Sequence, residues 1–215
     1  MADACRQCPT RRPGWRWLVL GACLALAGCF ETAPLTQAAS RVLAPAAGPA
    51  RVEVLHGSIH VAGPAGYCAD VEATRESDIE AFVLLVRCRG TIRPSPVLTA
   101  TVTRAPASDD PEALGRLLDF VRSPAGRAQL SRSGDSDDVE LIEAAQASGV
   151  LWLLIRDSDN PDSFDETYWR AILPLSDRIV TLSVLAAADH PYERDSGLAI
   201  LRGFVQRMRE VNREG

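Results

Sequence analysis

Two short apolar runs constrain the fold of this chain more than any other feature: AFVLLVRC at 81–88 and VLWLLIR at 150–156. Each run has the length of a strand and is shorter than a typical buried helix. Runs of this kind are typical of strands in the interior of a sheet. The chain therefore requires a sheet with other elements packed on it.

Alternating polar and apolar residues predict further strands on both sides of these runs. In RVEVLHGSIHV, Val52 and Val54 alternate with polar residues and His56-Gly57 offers a turn, which predicts a β-hairpin. A segment carrying Cys68 follows a Gly-Pro-Ala-Gly turn. The remaining strand candidates are VLTATVT (97–103), VELIEAAQA (139–147) and a hairpin from about Tyr168 to Ala186 that turns at Ser176-Asp177.

Helices are predicted at two places between and after the strands. Asp110-Pro111-Glu112 supplies an N-cap, a proline at the first helical position and an acid in the first turn. Ser123-Pro124 restarts a shorter helix that should end near Gly134, and a last helix should open near Pro191. The apolar faces are formed by Leu114, Leu117, Leu118 and Val121 in the first helix and by Leu198, Leu201, Phe204, Val205, Met208 and Val211 in the last.

The order of elements, strands then helix then strands then helix, predicts an α+β fold: one antiparallel sheet with two main helices packed on it. A single domain over 51–215 has room for a real core. The element order, with a proline-glycine turn early in the sheet and a closing helix, resembles the Mog1/PsbP-like fold. The stretch from GSIHVAGPAGYC to AFVLLVRC is similar to small alphaproteobacterial envelope proteins without an assigned activity.

The amino terminus has the pattern of an export signal. Four arginines precede an apolar run from Trp17 to Ala27, which is shorter than the roughly 18–20 residues that span a bilayer. The run ends in Leu26-Ala27-Gly28-Cys29, which resembles the lipobox of bacterial lipoproteins. The alternative is an uncleaved signal anchor. The predicted boundaries are a signal peptide at 1–28, a lipidated cysteine with an Ala/Pro-rich tether at 29–50, and the domain from 51.

The lipobox resemblance implies that Cys29 becomes the first residue and carries fatty acyl chains, palmitate among them. Two or more chains hold a protein stably on a membrane, whereas one chain is marginal. Phe30 follows the cysteine where an aspartate would favour the inner membrane in enteric bacteria, so the resemblance favours the periplasmic face of the outer membrane. The expected partners are the membrane, through this lipid, and an unidentified envelope protein.

Two cysteines, Cys68 and Cys88, remain in the folded part once the signal is removed and Cys29 is lipidated. An even pair in an oxidising compartment predicts a disulfide, while a redox or metal role has weaker support because the two form no CxxC motif. The exported part holds 19 arginines and 27 acidic residues, a net charge of −8. That charge excludes nucleic-acid binding, which requires clustered basic residues.

Two acidic stretches are the nearest approach to a metal-binding motif. Calcium takes six to eight oxygens, often from alternating acids in a tight loop. In the second stretch, Pro161 replaces the next ligand and Asp162 the glycine of an EF-hand loop, so a solvated hairpin loop is the favoured interpretation. The residues concerned are Asp135, Asp137 and Asp138 in GDSDD, and Asp157, Asp159, Asp162, Asp165 and Glu166 in RDSDNPDSFDE.

No catalytic or cofactor signature is found in the sequence, and no metal site is predicted. His56 and His60 flank a turn with Ser58 as the nearest further donor, too few ligands for zinc. His190 beside Asp189 is interpreted as a residue of the cap region before the last helix. G-x-S-x-G, S-x-x-K and H-E-x-x-H patterns with partners are all absent.

Three aromatic residues on neighbouring strands, Trp152, Tyr168 and Trp169, could line a pocket or a partner face, or could be core. The leading interpretation is a non-enzymatic envelope lipoprotein that binds another protein or a small envelope component. Its expected signature is an exposed apolar or aromatic patch without titratable groups of shifted pKa. The alternative is a periplasmic small-ligand-binding or hydrolytic protein with a concave pocket.

Overall fold

The computed structural model describes residues 48–89, 95–103 and 110–213. Nine strands and three helices lie in these ranges. The strands are β1 (Arg51–Val54), β2 (Ile59–Ala62), β3 (Tyr67–Glu76), β4 (Glu80–Arg87), β5 (Val97–Thr103), β6 (Val139–Ala147), β7 (Val150–Asp157), β8 (Thr167–Leu175) and β9 (Arg178–Leu185). The helices are α1 (Pro111–Arg122), α2 (Pro124–Leu130) and α3 (Arg194–Val211).

Seven strands form one antiparallel sheet in the order β3-β4-β5-β9-β8-β7-β6, and β1 with β2 forms a separate two-stranded sheet. The predicted α+β class, an antiparallel sheet with helices packed on it, is therefore confirmed. The predictions for the signal peptide, the lipid on Cys29 and most of the tether fall on residues 1–47, outside the described part of the chain. Those predictions stay predictions.

Tight turns join the strands at both ends of the sheet. Ser176 and Asp177, the predicted turn between β8 and β9, both have positive φ angles, of 48° and 57°. Ser148 and Gly149 join β6 to β7 in the same way. Two successive positive φ angles are the requirement of the two-residue turns whose twist matches that of paired strands.

The helix caps follow the sequence signals, although two helix ends differ from the prediction. Asp110 accepts a hydrogen bond from the Glu112 backbone N–H at 3.0 Å, as an N-cap does. The second helix ends at Leu130 rather than near Gly134, because Ser131 is already extended. The last helix begins at Arg194 rather than near Pro191, because Tyr192 turns inward and its hydroxyl donates to the Val184 carbonyl at 2.6 Å.

The structure contains the disulfide expected between Cys68 and Cys88. Cys68 lies near the start of β3, and Cys88 immediately follows β4. The bond ties the edge strand β3 to its neighbour at the end where the chain enters the sheet. Farther along β3 the register with β4 shifts between Asp70 and Arg75, and the Asp70 carboxylate accepts hydrogen bonds from two backbone N–H groups in that bulge.

The two faces of the large sheet are covered by different elements. One face packs against α3 and the β1–β2 hairpin. The opposite face packs against α1 and α2 at the β6–β7 end. The core of the first face includes Val54, Ile59, Val83, Leu98, Leu182, Leu201, Phe204 and Met208, and that of the second includes Val121, Leu151, Leu153, Ile155 and Tyr168.

Candidate functional site

A groove opens on the α3 face of the sheet, where α3 does not cover β7 and β6, the last two strands in the sheet order. Helix α3 contacts β2, β8 and β9, so it lies over the middle of the sheet. Beyond it, β6 and β7 extend to the edge of the sheet. The space between the helix and these strands has a volume of about 590 Å³. It is lined by Glu143, Ala145, Ala147, Ser148, Trp152, Trp169, Leu198, Arg202, Val205, Gln206, Arg209 and Arg213.

Two indoles form the floor of this groove, which we call the Trp–Arg groove. Trp169 is opposite Leu154 in the sheet, and Trp152 is two residues from Leu154, so both indoles are on the α3 face. Trp169 is 2% exposed, and its ring N–H donates to the Arg194 carbonyl at 3.0 Å. Trp152 is half-buried, and its ring N–H donates to the Ala147 carbonyl at 3.3 Å. The exposed part of the Trp152 ring is thus the aromatic surface left to contact a ligand, and Trp169 is buried beside it.

Arginines from α3 and from the turn after it form the rim. Arg202 and Arg209 are seven residues apart, which places them along one side of the helix, and Arg213 lies two residues beyond its end. Arg209 donates to the Ser148 carbonyl at 2.8 Å, in the β6–β7 turn. Arg213 donates to the Arg209 carbonyl at 3.2 Å. The helix therefore fixes a row of guanidinium groups along the groove.

The charge of the rim is not cancelled by the one carboxylate among the described lining residues. Glu143 forms an ion pair with Arg194 at the first turn of α3. That pair leaves Arg202 and Arg209 without an acidic partner among the described residues that line the groove, while Arg213 interacts with Glu210. The groove is thus a positively charged, aromatic surface on a chain whose net charge is −5.

Tyr168, the third aromatic residue singled out in the sequence, lies on the opposite face of the sheet. It is buried under α1, and burial raises the pKa of its hydroxyl. The Arg170 guanidinium lies 5.1 Å from the centre of its ring. The structure therefore brings Trp152 and Trp169 together and separates Tyr168 from both.

Tyr192, which the sequence analysis did not single out, fixes the position of the groove floor. Its hydroxyl donates to the Val184 carbonyl and accepts from the Trp169 backbone N–H at 3.4 Å. Burial raises the pKa of this hydroxyl well above its usual value, so it stays protonated. Tyr192 thus ties β8 and β9 to the segment that leads into α3.

The two hairpin histidines lie away from the groove. His56 is exposed in the β1–β2 turn. His60 Nδ1 is 3.6 Å from the Glu53 carboxylate, and its backbone N–H and carbonyl pair with the Asn212 side chain at 2.9 and 2.7 Å. Ser58 accepts from Arg178 at 3.4 Å. The structure thus places His60 where the hairpin meets the end of α3, and Ser58 where the hairpin meets β9.

The acidic stretches form hydrogen-bonded loops at the far end of β6 and β7. Asp135 caps a short 3₁₀ turn by accepting from the Asp137 backbone N–H at 2.9 Å. Asp157 is 4% exposed and accepts from the Asp159 backbone N–H at 3.1 Å. Burial raises the pKa of Asp157, and the backbone N–H of Asp159 opposes that rise in part. Asp165 accepts from the Thr167 backbone N–H at 2.8 Å.

The His190–Asp189 pair is on the surface before α3. His190 Nδ1 lies 2.9 Å from the Asp189 carboxylate, and the hydrogen bond from His190 lowers the pKa of Asp189. Both side chains are exposed. Among the described residues, no group of three His, Cys, Asp or Glu side chains is placed to hold a metal ion. In the same ranges, no helix is long and apolar enough to cross a membrane.

The arginine rim was not anticipated from the sequence, although a signal for it exists. Leu198, Arg202, Val205 and Arg209 follow the i, i+4, i+7, i+11 spacing of a helix side. The apolar members of α3 alone were used to predict its buried face. Arginines at the edge of an apolar helix face lie beside the core, with their aliphatic stems along apolar surface.

The chain has little similarity to the known proteins with which it was compared. No family model matches the chain, and no curated protein matches it. Among solved structures, the chain is similar to a mutant of the protein Mog1, at 14% identity and a TM-score of 0.40. The match covers 74% of this chain and 91% of that chain. The α+β class rests on the strand and helix order described above.

Proposed function

We propose that the chain is a non-enzymatic binding protein, held by acyl chains on Cys29 at the periplasmic face of a bacterial membrane. The anchor rests on the resemblance of Leu26-Ala27-Gly28-Cys29 to a lipobox. Phe30 after the cysteine favours the outer over the inner membrane. The binding surface is the Trp–Arg groove, and its ligand is a protein or a small component of the envelope.

The observation that carries this proposal is the groove itself. Its volume of about 590 Å³ falls within the range of roughly 300–1,000 Å³ typical of ligand pockets. Aromatic floors and arginine rims are enriched at binding surfaces, because both groups bury large areas and bond with defined geometry.

The positions of the titratable groups support binding rather than catalysis. General acid–base chemistry requires a proton-transferring group in the cleft with a pKa tuned to its task. Of the described residues that line the groove, Glu143 is the carboxylate, and it is paired with Arg194. The buried Asp157 is at the far end of β7, on a hydrogen-bonded turn. The histidines lie on other surfaces.

A second candidate is a periplasmic small-ligand-binding or hydrolytic protein, and the volume of the groove favours its ligand-binding form. A hydrolase needs a nucleophile beside a base. His60→Ala, Asp157→Ala and His190→Ala separate the two candidates. A binding protein keeps its cellular phenotype in each variant, whereas one of these changes abolishes a hydrolytic activity.

Photo-crosslinking in living cells tests the proposal. A benzoylphenylalanine placed at Gln206, an exposed position on the groove, should yield a discrete adduct in native membranes. The same probe at Glu112, exposed on α1, is the matched control and should yield none. Identical adducts at both positions, or none at either, would contradict the groove as the binding surface. An intact mass that retains residues 1–28 without acyl chains would contradict the anchor.

A further inference from the structure

We propose that the Trp–Arg groove binds an anionic phospholipid of the membrane that carries the protein, with the phosphate at the arginine rim and the upper acyl chain against the indoles. This inference rests on the proposed function, since it requires the anchor on Cys29. It goes further by committing to one ligand class. Three features support this ligand: the charge of the rim, the chemistry of the floor and the place where the tether enters the domain.

The rim has the chemistry that recognises phosphate. A planar guanidinium binds a phosphate group through two parallel hydrogen bonds, which gives both energy and geometry. Arg202 shows no hydrogen bond or ion pair to any other residue within the described ranges, so its donors are open to a ligand. Arg209 and Arg213 are held in place through main-chain carbonyls and keep further N–H groups.

The floor has the chemistry of a membrane interface. Indole rings favour the boundary between acyl chains and headgroups, because one part is apolar and the N–H needs a polar partner. Here the half-buried Trp152 satisfies its N–H with a main-chain carbonyl, so its ring presents apolar surface, and the buried Trp169 donates its own N–H to the start of α3. Leu198 and Val205 of α3 complete the apolar wall. A phosphate at the rim therefore has an apolar surface beside it.

The tether enters the domain one helix away from the groove. Ala50, at the start of the described chain, lines a neighbouring cavity together with Gly203 and Gln206 of α3. Gln206 also lines the Trp–Arg groove. A helix with its side chains is about 10–12 Å across, so the groove and the tether entry lie on adjacent sides of α3.

The length of the tether limits how far the domain can lie from the bilayer. Eighteen residues, 30–47, separate the anchored Cys29 from the first described residue, Gly48. Even a fully extended chain of that length spans at most about 60–65 Å. The groove therefore stays within reach of the lipid headgroups. An acidic segment of a partner protein would satisfy the rim equally, but nothing ties such a segment to the side of the tether.

The net charge of the chain distinguishes binding at a local site from general electrostatic attraction to a membrane. The exported part carries 19 arginines and 27 acidic residues, so its overall field repels an anionic membrane. A preference for anionic lipid must then come from a local site and not from general attraction. Substituting rim arginines should remove the preference, whereas substituting an arginine elsewhere should not.

Tryptophan fluorescence measures this directly, because Trp152 and Trp169 are the two tryptophans of residues 29–215 and both line the groove. The full lipidated protein is reconstituted in vesicles of about four parts phosphatidylcholine and one part phosphatidylglycerol. In one preparation the phosphatidylglycerol is brominated near the carbonyl end of its acyl chains. In the other, an equal amount of the phosphatidylcholine is brominated instead. The two preparations have the same surface charge.

Brominated phosphatidylglycerol should quench the tryptophans about two-fold more than brominated phosphatidylcholine. Arg202→Glu should abolish that preference, and Arg132→Glu, exposed on the α1–α2 side, should retain it. Equal quenching by both lipids, or a preference that survives Arg202→Glu, would overturn the inference. If the lipids quench equally while the probe at Gln206 still captures a protein, the groove is a binding surface for that protein, and only the lipid inference fails.

Discussion

The two faces of the seven-stranded sheet differ at the β6–β7 end. One face of these strands is covered by α1 and α2, whose apolar side chains form a closed core with Leu151, Leu153 and Ile155. The other face is not covered by α3, and the Trp–Arg groove lies there between these strands and that helix. The same strands thus carry a sealed surface on one side and an accessible one on the other. The difference indicates that the position of one helix decides where a site can form.

The two edges of the sheet show a related contrast. At the β3 edge, the disulfide and the bulge between Asp70 and Arg75 interrupt regular pairing. At the β6 edge, Arg122 of α1 donates to the Ala144 carbonyl at 3.0 Å, and the register with β7 shifts near Ile142. Bulges and capped carbonyls protect edge strands from pairing with other chains. Neither edge strand is therefore open to pairing with a strand of a binding partner.

The largest expected effect comes from the core under α3. Phe204 is fully buried on the α3 face, so Phe204→Ala should lower the free energy of unfolding by about 3–5 kcal/mol. Phe120, 45% exposed on α1, is the matched control, and Phe120→Ala should cost less than about 1 kcal/mol. Urea unfolding followed by circular dichroism measures both. Equal losses would contradict the burial of Phe204 beneath α3 and the exposure of Phe120 on α1.

Removing the disulfide should have the next largest effect. Cys68 and Cys88 are 20 residues apart, and a loop of that length corresponds to about 3 kcal/mol in the chain-entropy model. The free energy of unfolding of the double variant Cys68→Ser, Cys88→Ser should therefore be lower than that of the wild type by that amount. Reducing agent should shift the wild type and leave the double variant unchanged. A double variant as stable as the wild type would show that β3 does not need the covalent tie.

The hairpin over α3 should loosen when its polar clamp is removed. The Asn212 amide pairs with both the N–H and the carbonyl of His60, as a neighbouring strand would. Asn212→Ala leaves those groups unpaired and should cost about 1–2 kcal/mol. Arg213→Ala, next along the chain and exposed, is the control. Hydrogen exchange should speed up in β1 and β2 of the first variant alone, and exchange unchanged there would contradict the clamp.

The smallest effect is a pH dependence at the acidic end of β7. Burial raises the pKa of Asp157 above its usual 3.8, so the folded state holds this proton more tightly than the unfolded chain does. The contribution of Asp157 to stability is therefore greatest at low pH and falls as pH rises from 3.8 through its folded pKa. Asp157→Asn can keep the hydrogen bond from the Asp159 N–H and should remove that fall.

Urea unfolding of wild type and Asp157→Asn between about pH 3 and 7 measures the difference in slope. Asp162→Asn, at an exposed position in the same loop, is the control. Parallel pH profiles for wild type and Asp157→Asn would show that burial of Asp157 has no energetic consequence.

The sequence was sufficient for most of the fold because local patterns determine it. The alternation in β1, the apolar runs in β4 and β7, and the Asp110 cap each act over a few residues. The start of α3 was misplaced because the Tyr192 hydroxyl donates to Val184 of β9, a tertiary contact that helix start signals do not encode. The shift in β3 was missed for the same reason, since its pairing depends on β4.

The groove was only half predictable. Trp152 and Trp169 were candidates, and strand alternation alone separates Trp169 from its neighbour Tyr168, since adjacent residues face opposite sides. The rim required knowledge of where α3 lies across the sheet. That placement depends on contacts of α3 with β2, β8 and β9, which are distant in sequence. The site could therefore be seen only once the helix was in position.

One measurement tests the central proposal, that the Trp–Arg groove is occupied when the protein is in native membranes. Gln206→Cys on the groove and Glu112→Cys on α1 each introduce one free thiol beside the paired Cys68 and Cys88, and the proposed lipid on Cys29 would block the remaining thiol of residues 29–215. A charged maleimide should label the groove thiol at least about ten-fold more slowly in native membranes than in purified protein, and the α1 thiol at the same rate in both. Equal labelling of the groove thiol in the two preparations would contradict the account.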